Sequence, residues 1–192
     1  MEQRSPEWYA ARLGLFTASS FADLMAGLDT ESHKGLLKDK AWERLTGQPV
    51  SGYTNAAMQH GIDTEPMARD WYSFQTGAEV AEVGFVIHPE LPMVGCSPDG
   101  RVGDAGLIEI KCPQPRAHLE TMVAKKLPAK YRWQVQGQLW IEGREWCDFV
   151  SYHPAQGGVI VRVHANEKDH AALAERVGIA EAAVLDLMEK AS

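Results

Sequence analysis

The order of its secondary-structure signals predicts that this chain folds as an α+β protein. Helical patterns come first, a run of short strands interrupted by one helix follows, and an amphipathic helix closes the sequence. The alternation is too irregular for a doubly wound sheet. The 192 residues are enough for one domain with a full core, so residues 1–192 are expected to fold as a unit.

Each element has a local reason. Ser5 can cap a short helix over 6–13, with Pro6 at its first position and Gly14 ending it. Ser20 and Asp23 have capping-box spacing for a helix over 19–26, closed by Gly27. In a helix over 34–46, Leu37, Ala41 and Leu45 form an apolar stripe and Gly47 follows. Residues 55–76 have helical periodicity, with Met58, Ile62, Trp71 and Phe74 at apolar positions. Pro66 is expected to kink this segment or to start a new helix after Thr64. Strands are expected at 79–88, 93–98 and 106–112, then a helix over 129–141. Strands at 146–153 and 158–164 follow, joined by a turn at Pro154, Gly157 and Gly158. Asn166 can cap a last helix, 167–189, that turns Leu173, Val177, Val184 and Met188 to the core.

Composition bounds the class. At 45% hydrophobic and 23% charged the chain reads as an ordinary globular protein. It has no apolar run of membrane-spanning length and no basic segment leading into an apolar one, so the expected location is the cytoplasm. Cys96, Cys112 and Cys147 are odd in number and form no C-x-x-C pair, which points to free thiols. The net charge of −7 by itself argues against a nucleic-acid partner. Residues 167–190, however, carry six acids against three bases, and a groove on another face can still be positive.

The most informative stretch is 96–113, C-S-P-D-G-R-V-G-D-A-G-L-I-E-I-K-C-P. Pro98-Asp99-Gly100 is a turn signal. In the strand that follows, side chains alternate, so Glu109 and Lys111 share one face while Ile108 and Ile110 anchor the other. Asp99 and Glu109 can offer two carboxylates to a magnesium ion, the Ile110 backbone carbonyl can offer a third oxygen, and Lys111 can hold an attacking water. The bland alternative is a charged strand face closed by a salt bridge.

Four blocks in order lift the first reading. They are W-Y-A-A-R-L-G-L-F-T-A-S at 8–19, G-I-D-T-E-P-M-A-R at 61–69, the Asp99/Glu109/Lys111 hairpin, and Q-V-Q at 134–136. Together they resemble the phage lambda exonuclease-like (YqaJ-type viral recombinase) family of the PD-(D/E)xK nuclease superfamily, over most of residues 8–140. The resemblance implies an α/β sandwich-like, restriction-endonuclease-like core: a central mixed β-sheet flanked by helices. It makes Asp99 and Glu109 metal ligands and Lys111 the catalytic lysine, with Glu65 and Gln134 completing the site. It puts the 5′-phosphate of a DNA end on Arg12, Ser19 and Ser97, a further phosphate on Arg116, and an apolar wedge between terminal bases at Met58. Arg116 is offset by about one residue from the family's spacing.

The implied activity is a magnesium-dependent (manganese as substitute) 5′-to-3′ exonuclease with two ions per site. It would act on double-stranded DNA ends and leave a 3′ overhang for recombination. The implied partners are two further copies in a homotrimer and a single-strand annealing protein, with no membrane, in a bacterial host carrying the gene on a phage or prophage. A restriction-type endonuclease and a non-catalytic DNA-end-binding module are the alternatives. A Cas4-like nuclease would need four cysteine ligands for its iron–sulfur cluster.

Overall fold

The structure is a computed structural model. It describes residues 2–50 and 56–192, with the side chains of 56–58 outside the description. The chain forms α1 (Pro6–Arg12), β1 (Phe16–Thr17), a 3-10 turn (Ala18–Ser20), α2 (Phe21–Leu24), α3 (Glu31–Thr46) and α4 (Ala56–Thr76). Next come β2 (Val80–Ala81), β3 (Val86–Ile87), β4 (Val94–Cys96), β5 (Gly100–Val102) and β6 (Gly106–Lys111). Then follow α5 (Pro115–Ala124), a second 3-10 turn (Ala129–Tyr131), α6 (Arg132–Glu142), β7 (Trp146–His153), β8 (Gly157–His164) and α7 (Glu167–Ala191).

A five-stranded sheet is ordered β2-β5-β6-β7-β8 and is parallel only between β6 and β7. A three-stranded sheet is ordered β1-β4-β3. Strand alternation gives the larger sheet two different faces. Ile108, Ile110, Val150 and Tyr152 pack on Ala68 and Tyr72 of α4. Leu107, Cys147 and Phe149 pack on Val135 and Leu139 of α6. A separate helical core joins Phe21, Leu24, Leu36, Leu37 and Ala41 to Leu173, Val177, Ala180 and Val184 of α7. The mixed α+β class with a helix-flanked mixed sheet is therefore as expected.

The local expectations hold at most caps. Ser5 accepts from Trp8 N–H, Pro6 opens α1, and Asn166 accepts from two backbone amides at the start of α7. Gly14 lies at φ +73, a conformation that glycine adopts without a Cβ clash.

Several details differ from the sequence reading. Pro66 does not divide the helix: α4 runs unbroken through it, without a new start after Thr64. A proline inside a helix costs roughly 3 kcal/mol, which the burial of Ala68, Tyr72 and Trp71 against the sheet offsets. The 79–88 strand is two short strands in different sheets. Residues 100–102 and 115–124, where the sequence pattern predicts no element, are β5 and α5. Ser20 makes no cap; its hydroxyl donates to Thr17 O, and a 3-10 turn precedes the short α2. Phe74 is 85% exposed and Leu45 44% exposed, so neither joins the core. The three cysteines are free, with Cys96 and Cys147 buried and Cys112 half-buried.

Candidate active site

The site forms where β6 outruns its neighbour. β5 pairs with β6 only as far as Ile108, leaving residues 109–111 beyond that ladder. The Pro98–Gly100 turn fills the gap. Asp99 N–H donates to Ile108 O at 3.1 Å, and the Asp99 carboxylate accepts from Ile110 N–H at 2.6 Å. Ile108 and Ile110 thus direct their peptide groups to the β5 side. The Ile110 carbonyl, on the same side as its own N–H, faces Asp99 rather than β7.

Glu109 lies on the opposite sheet face from the isoleucines, almost fully buried at 1% exposure under α6. A bare carboxylate there would be costly, and three donors compensate it. Lys111 Nζ stands 2.6 Å from Oε1, Gln134 Nε2 donates to Oε1 at 2.5 Å, and Gln138 Nε2 donates to Oε2 at 2.6 Å. Gln134 and Gln138 are one helical turn apart, so both reach down from α6. The Oε1 of Gln138 is buried and has no hydrogen-bond partner.

Asp99 is treated differently. Among the described residues its one protein donor is the Ile110 amide. Burial first, then the charges of Glu109 and Glu65, push its carboxyl well above the usual range, against the opposing pull of Lys111 and the Ile110 N–H. Burial also works against the Lys111 ammonium, but Glu109 and Asp99 outweigh it and hold that group above the usual lysine range. Glu65 approaches from α4 across the cleft. It is held by Arg69 at 2.8 Å and by Arg4, and Arg69 bridges on to Glu82 at 2.8 Å.

Three carboxylates and one ammonium leave local negative charge that a divalent cation would neutralise. Asp99, Glu109 and the Ile110 carbonyl are the oxygens that can hold one. Among the described residues no three acids, histidines or cysteines close into a cage.

The second half of the site is cationic. Arg12 lies half-buried between two aromatic rings, its guanidinium carbon 3.9 Å from the Trp8 centroid and 5.6 Å from that of Phe85. Burial pulls its ionisation downward, and among the described residues no carboxylate lies within 4 Å of it. Its guanidinium makes one long hydrogen bond, 3.4 Å to Ser19 Oγ, and Ser19 in turn lies 3.1 Å from Thr17 Oγ1. The Trp8 indole N–H donates to Ser97 Oγ at 2.8 Å. One tryptophan therefore touches both Arg12 and Ser97. Gly137 lets α6 close onto this region: a Cβ there would lie 2.3 Å from the Phe21 ring. Buried Cys96, next to Ser97, is near enough to both Glu109 and Arg12 for their charges to act on its thiol.

The structure thus brings together Asp99, Glu109, Lys111, Gln134 and, within electrostatic reach, Glu65. It groups Arg12, Ser19 and Ser97 beside them. Arg116 is exposed in the first turn of α5, and among the described residues it makes no hydrogen bond or ion pair with any of these groups. The Met58 wedge lies outside the described side chains. Trp8, Arg4 and Arg69 carry no signal of their own in the sequence. Trp8 and Arg69 stand inside the matched blocks, but nothing in those letters names their partners.

An acid from the turn before β5, an acid–lysine pair on β6 and a mixed sheet clasped by helices define the architecture of the PD-(D/E)xK nucleases. Residues 7–145 match the YqaJ-like viral recombinase domain, and the chain belongs to that family. An alkaline exonuclease (LHK-Exo) from Laribacter hongkongensis is 39% identical, with 97% of this chain and 98% of that one covered and a TM-score of 0.87. The LHK-Exo complex with dAMP gives a TM-score of 0.89 at the same identity and coverage. A phage-related exonuclease from Haemophilus somnus shares the fold, with a TM-score of 0.75 at 16% identity over 93% of this chain and 96% of that one. No curated protein matches. The structural likeness continues beyond residue 145, where the sequence blocks end. No described helix is long and apolar enough to cross a membrane.

Proposed function

We propose that this chain is a divalent-cation-dependent 5′-to-3′ exonuclease. It removes mononucleotides from one strand of a duplex DNA end and leaves a 3′ overhang for annealing-type recombination. The observation that carries this reading is a half-buried arginine beside the acid cluster. Arg12, desolvated and, among the described residues, without a carboxylate within 4 Å, is a seat for an anion next to a centre equipped for phosphodiester hydrolysis. The Laribacter hongkongensis relative, an alkaline exonuclease, supports the same reaction class.

In this reading Arg12, Ser19 and Ser97 hold the terminal 5′-phosphate, which fixes the first internucleotide phosphate over Asp99 and Glu109. Two magnesium ions, or manganese, held by Asp99, Glu109 and the Ile110 carbonyl would polarise that phosphate and acidify a bound water. Lys111 orients the attacking water and balances charge that grows on the phosphate oxygens. Gln134 and Gln138 keep the Glu109 carboxylate in place, and Glu65, released in part from its arginines, orients the water from the α4 side. Residues 1–192 serve as one nuclease domain in the cytoplasm of a bacterial host, encoded by a phage or prophage. Three copies form a ring around the duplex, and a single-strand annealing protein receives the exposed strand.

The test is digestion of linear duplex with 5′-phosphate or 5′-hydroxyl ends, with magnesium and with chelator. Magnesium-dependent release of mononucleotides from 5′ ends is expected. Lys111→Ala should cost at least about a hundredfold at every end, as loss of a charge-stabilising donor does. Arg12→Ala should chiefly remove the preference for phosphorylated ends, by about ten- to hundredfold. Release from 3′ ends would overturn the polarity, and a monomer in native mass measurements would overturn the ring.

A further inference from the structure

A cavity of about 240 Å³ opens beside Lys111, between α5, the segment joining it to α6, and the β6–β7 face of the sheet. Ala117, Ala124, Leu127, Pro128, Tyr131 and Phe149 give it an apolar interior. Lys111, Lys126 and Lys130, against the single acid Glu120, give its lining a net positive charge. Tyr131 is the organising side chain. It packs on Phe149 with centroids 5.2 Å apart, while Lys130 Nζ and Lys111 Nζ lie 4.8 and 5.4 Å from its ring centroid. Among the described residues neither Lys126 nor Lys130 has a carboxylate within 4 Å, although the chain as a whole is acidic. Residues 125–132, K-K-L-P-A-K-Y-R, hold four bases and no acid. Lys125 ends α5 in the left-handed region at φ 47, a conformation that costs a side chain of this kind roughly 1 kcal/mol or more and turns the chain sharply into this segment.

The cavity's place relative to the reacting groups decides what it can hold. Arg12 and Ser97 lie on the β4–β5 side of the Asp99–Glu109 pair, whereas the cavity lies on the β7 side, with Lys111 belonging to both. A strand whose 5′ end is held on Arg12 and whose first internucleotide phosphate lies on the acids must continue past Lys111. We propose that this cavity is the subsite for the nucleotide on the 3′ side of the scissile phosphate. Its base stacks in the apolar interior against Tyr131, and the phosphate that follows it meets Lys126 and Lys130. This rests on the 5′-to-3′ exonuclease reading and adds a substrate position to it. Stacking on an aromatic ring tolerates every base, which a processive strand-degrading enzyme requires.

The test uses the full-length protein with magnesium and 5′-phosphorylated duplexes that carry one abasic tetrahydrofuran residue, at position 2 or at position 6. The rate of the first cut is read in a single turnover. In the unmodified enzyme, loss of the base at position 2 should slow the first cut about tenfold or more, the range for one stacked base, and loss at position 6 should not. Tyr131→Ala should slow the intact substrate by a similar factor and erase the further penalty of the abasic residue. Lys126→Ala combined with Lys130→Ala, at exposed positions that carry no fold, should raise KM and make the salt dependence shallower. The log–log slope should fall by about 0.7 for each single-strand phosphate that no longer meets a lysine. Equal rates for the two abasic substrates, or an abasic penalty undiminished in Tyr131→Ala, would overturn the subsite. So would an unchanged salt slope in the lysine variant. Digestion from 3′ ends, or none by the unmodified enzyme, would instead bring down the exonuclease reading itself and the subsite with it.

Discussion

Two aspartates flank the same strand, β6, from opposite sides and are built in opposite ways. Asp148, on β7 beside Ile108, is 1% exposed and fully engaged. Tyr72 OH donates to it at 2.7 Å, and Arg162 donates two hydrogen bonds at 2.8 Å. Asp99, on the other side of β6, has among the described residues a single amide donor and two acids for neighbours. A charge that is buried and satisfied stabilises a fold; one that is buried and repelled is held against its own preference by the rest of the structure. The second condition is the one expected of a group waiting for a cation or a substrate.

Exchanging each carboxylate for an amide should separate the two, and this is the largest effect expected. Asp99→Asn should lower DNA cleavage at least about a hundredfold and yet raise the Tm of the metal-free protein. The sign follows from the raised carboxyl. The folded state binds that proton more tightly than the unfolded chain, so stability falls as pH rises from the unfolded value, about 4, through the folded one. Above both values the full penalty is present, and the amide removes it. At pH 8 the variant should melt at least about 2 °C higher, and the gap should close as the pH is lowered toward 4. Magnesium should raise the Tm of the unmodified protein and not that of the variant. Asp148→Asn should do the reverse: lose about 2 kcal/mol or more of stability by breaking the ion pair with Arg162, or about 4 °C, with activity per folded molecule largely kept. Equal losses of stability in the two variants, measured by thermal melts, would end the contrast.

A smaller effect is expected at the acid between them in character. Glu109 is crowded by acids, like Asp99, but amply bonded, like Asp148. Gln138→Leu removes one of its three donors and also the unpartnered Oε1. Turnover should fall about tenfold, the cost of one hydrogen bond to a charged group, with KM for DNA little changed. A change confined to KM would argue that Gln138 acts on the substrate rather than through Glu109.

The sequence made the contrast only half legible. The Asp99/Glu109/Lys111 arrangement could be read because it is local: a turn signal, then period-two alternation that puts acid and base on one strand face. Asp148 carried no signal, since its partners Tyr72 and Arg162 come from other elements and nothing in β7 announces them. The helix α5 was hidden behind Pro113-Gln114-Pro115, which reads as a breaker although Pro115 in fact opens the helix. The strands β2 and β3 merged into one because both lie in a single stretch of strand-forming residues, and such a stretch does not reveal that its two ends join different sheets. The basic run at 125–132 stands in the letters, but the net charge of −7 is a whole-chain quantity and says nothing about one cleft.

The same limit applies to Trp8, which stands in a matched block yet acts through a hydrogen bond to a residue 89 positions away. It offers the finest test of the cationic half of the site. Trp8→Phe keeps an aromatic face beside the Arg12 guanidinium but deletes the N–H that fixes Ser97. If the 5′-phosphate is gripped by arginine and serine together, the variant should keep most of its turnover on phosphorylated ends. It should lose about two- to tenfold of its preference for them over hydroxyl ends, the value of one neutral hydrogen bond. Trp8→Leu removes the ring face as well and should approach the Arg12→Ala phenotype. If Trp8→Phe matched the unmodified enzyme while Trp8→Leu did not, Ser97 would have no part in the phosphate seat. The tryptophan would then act only through its ring, by holding the Arg12 guanidinium in place.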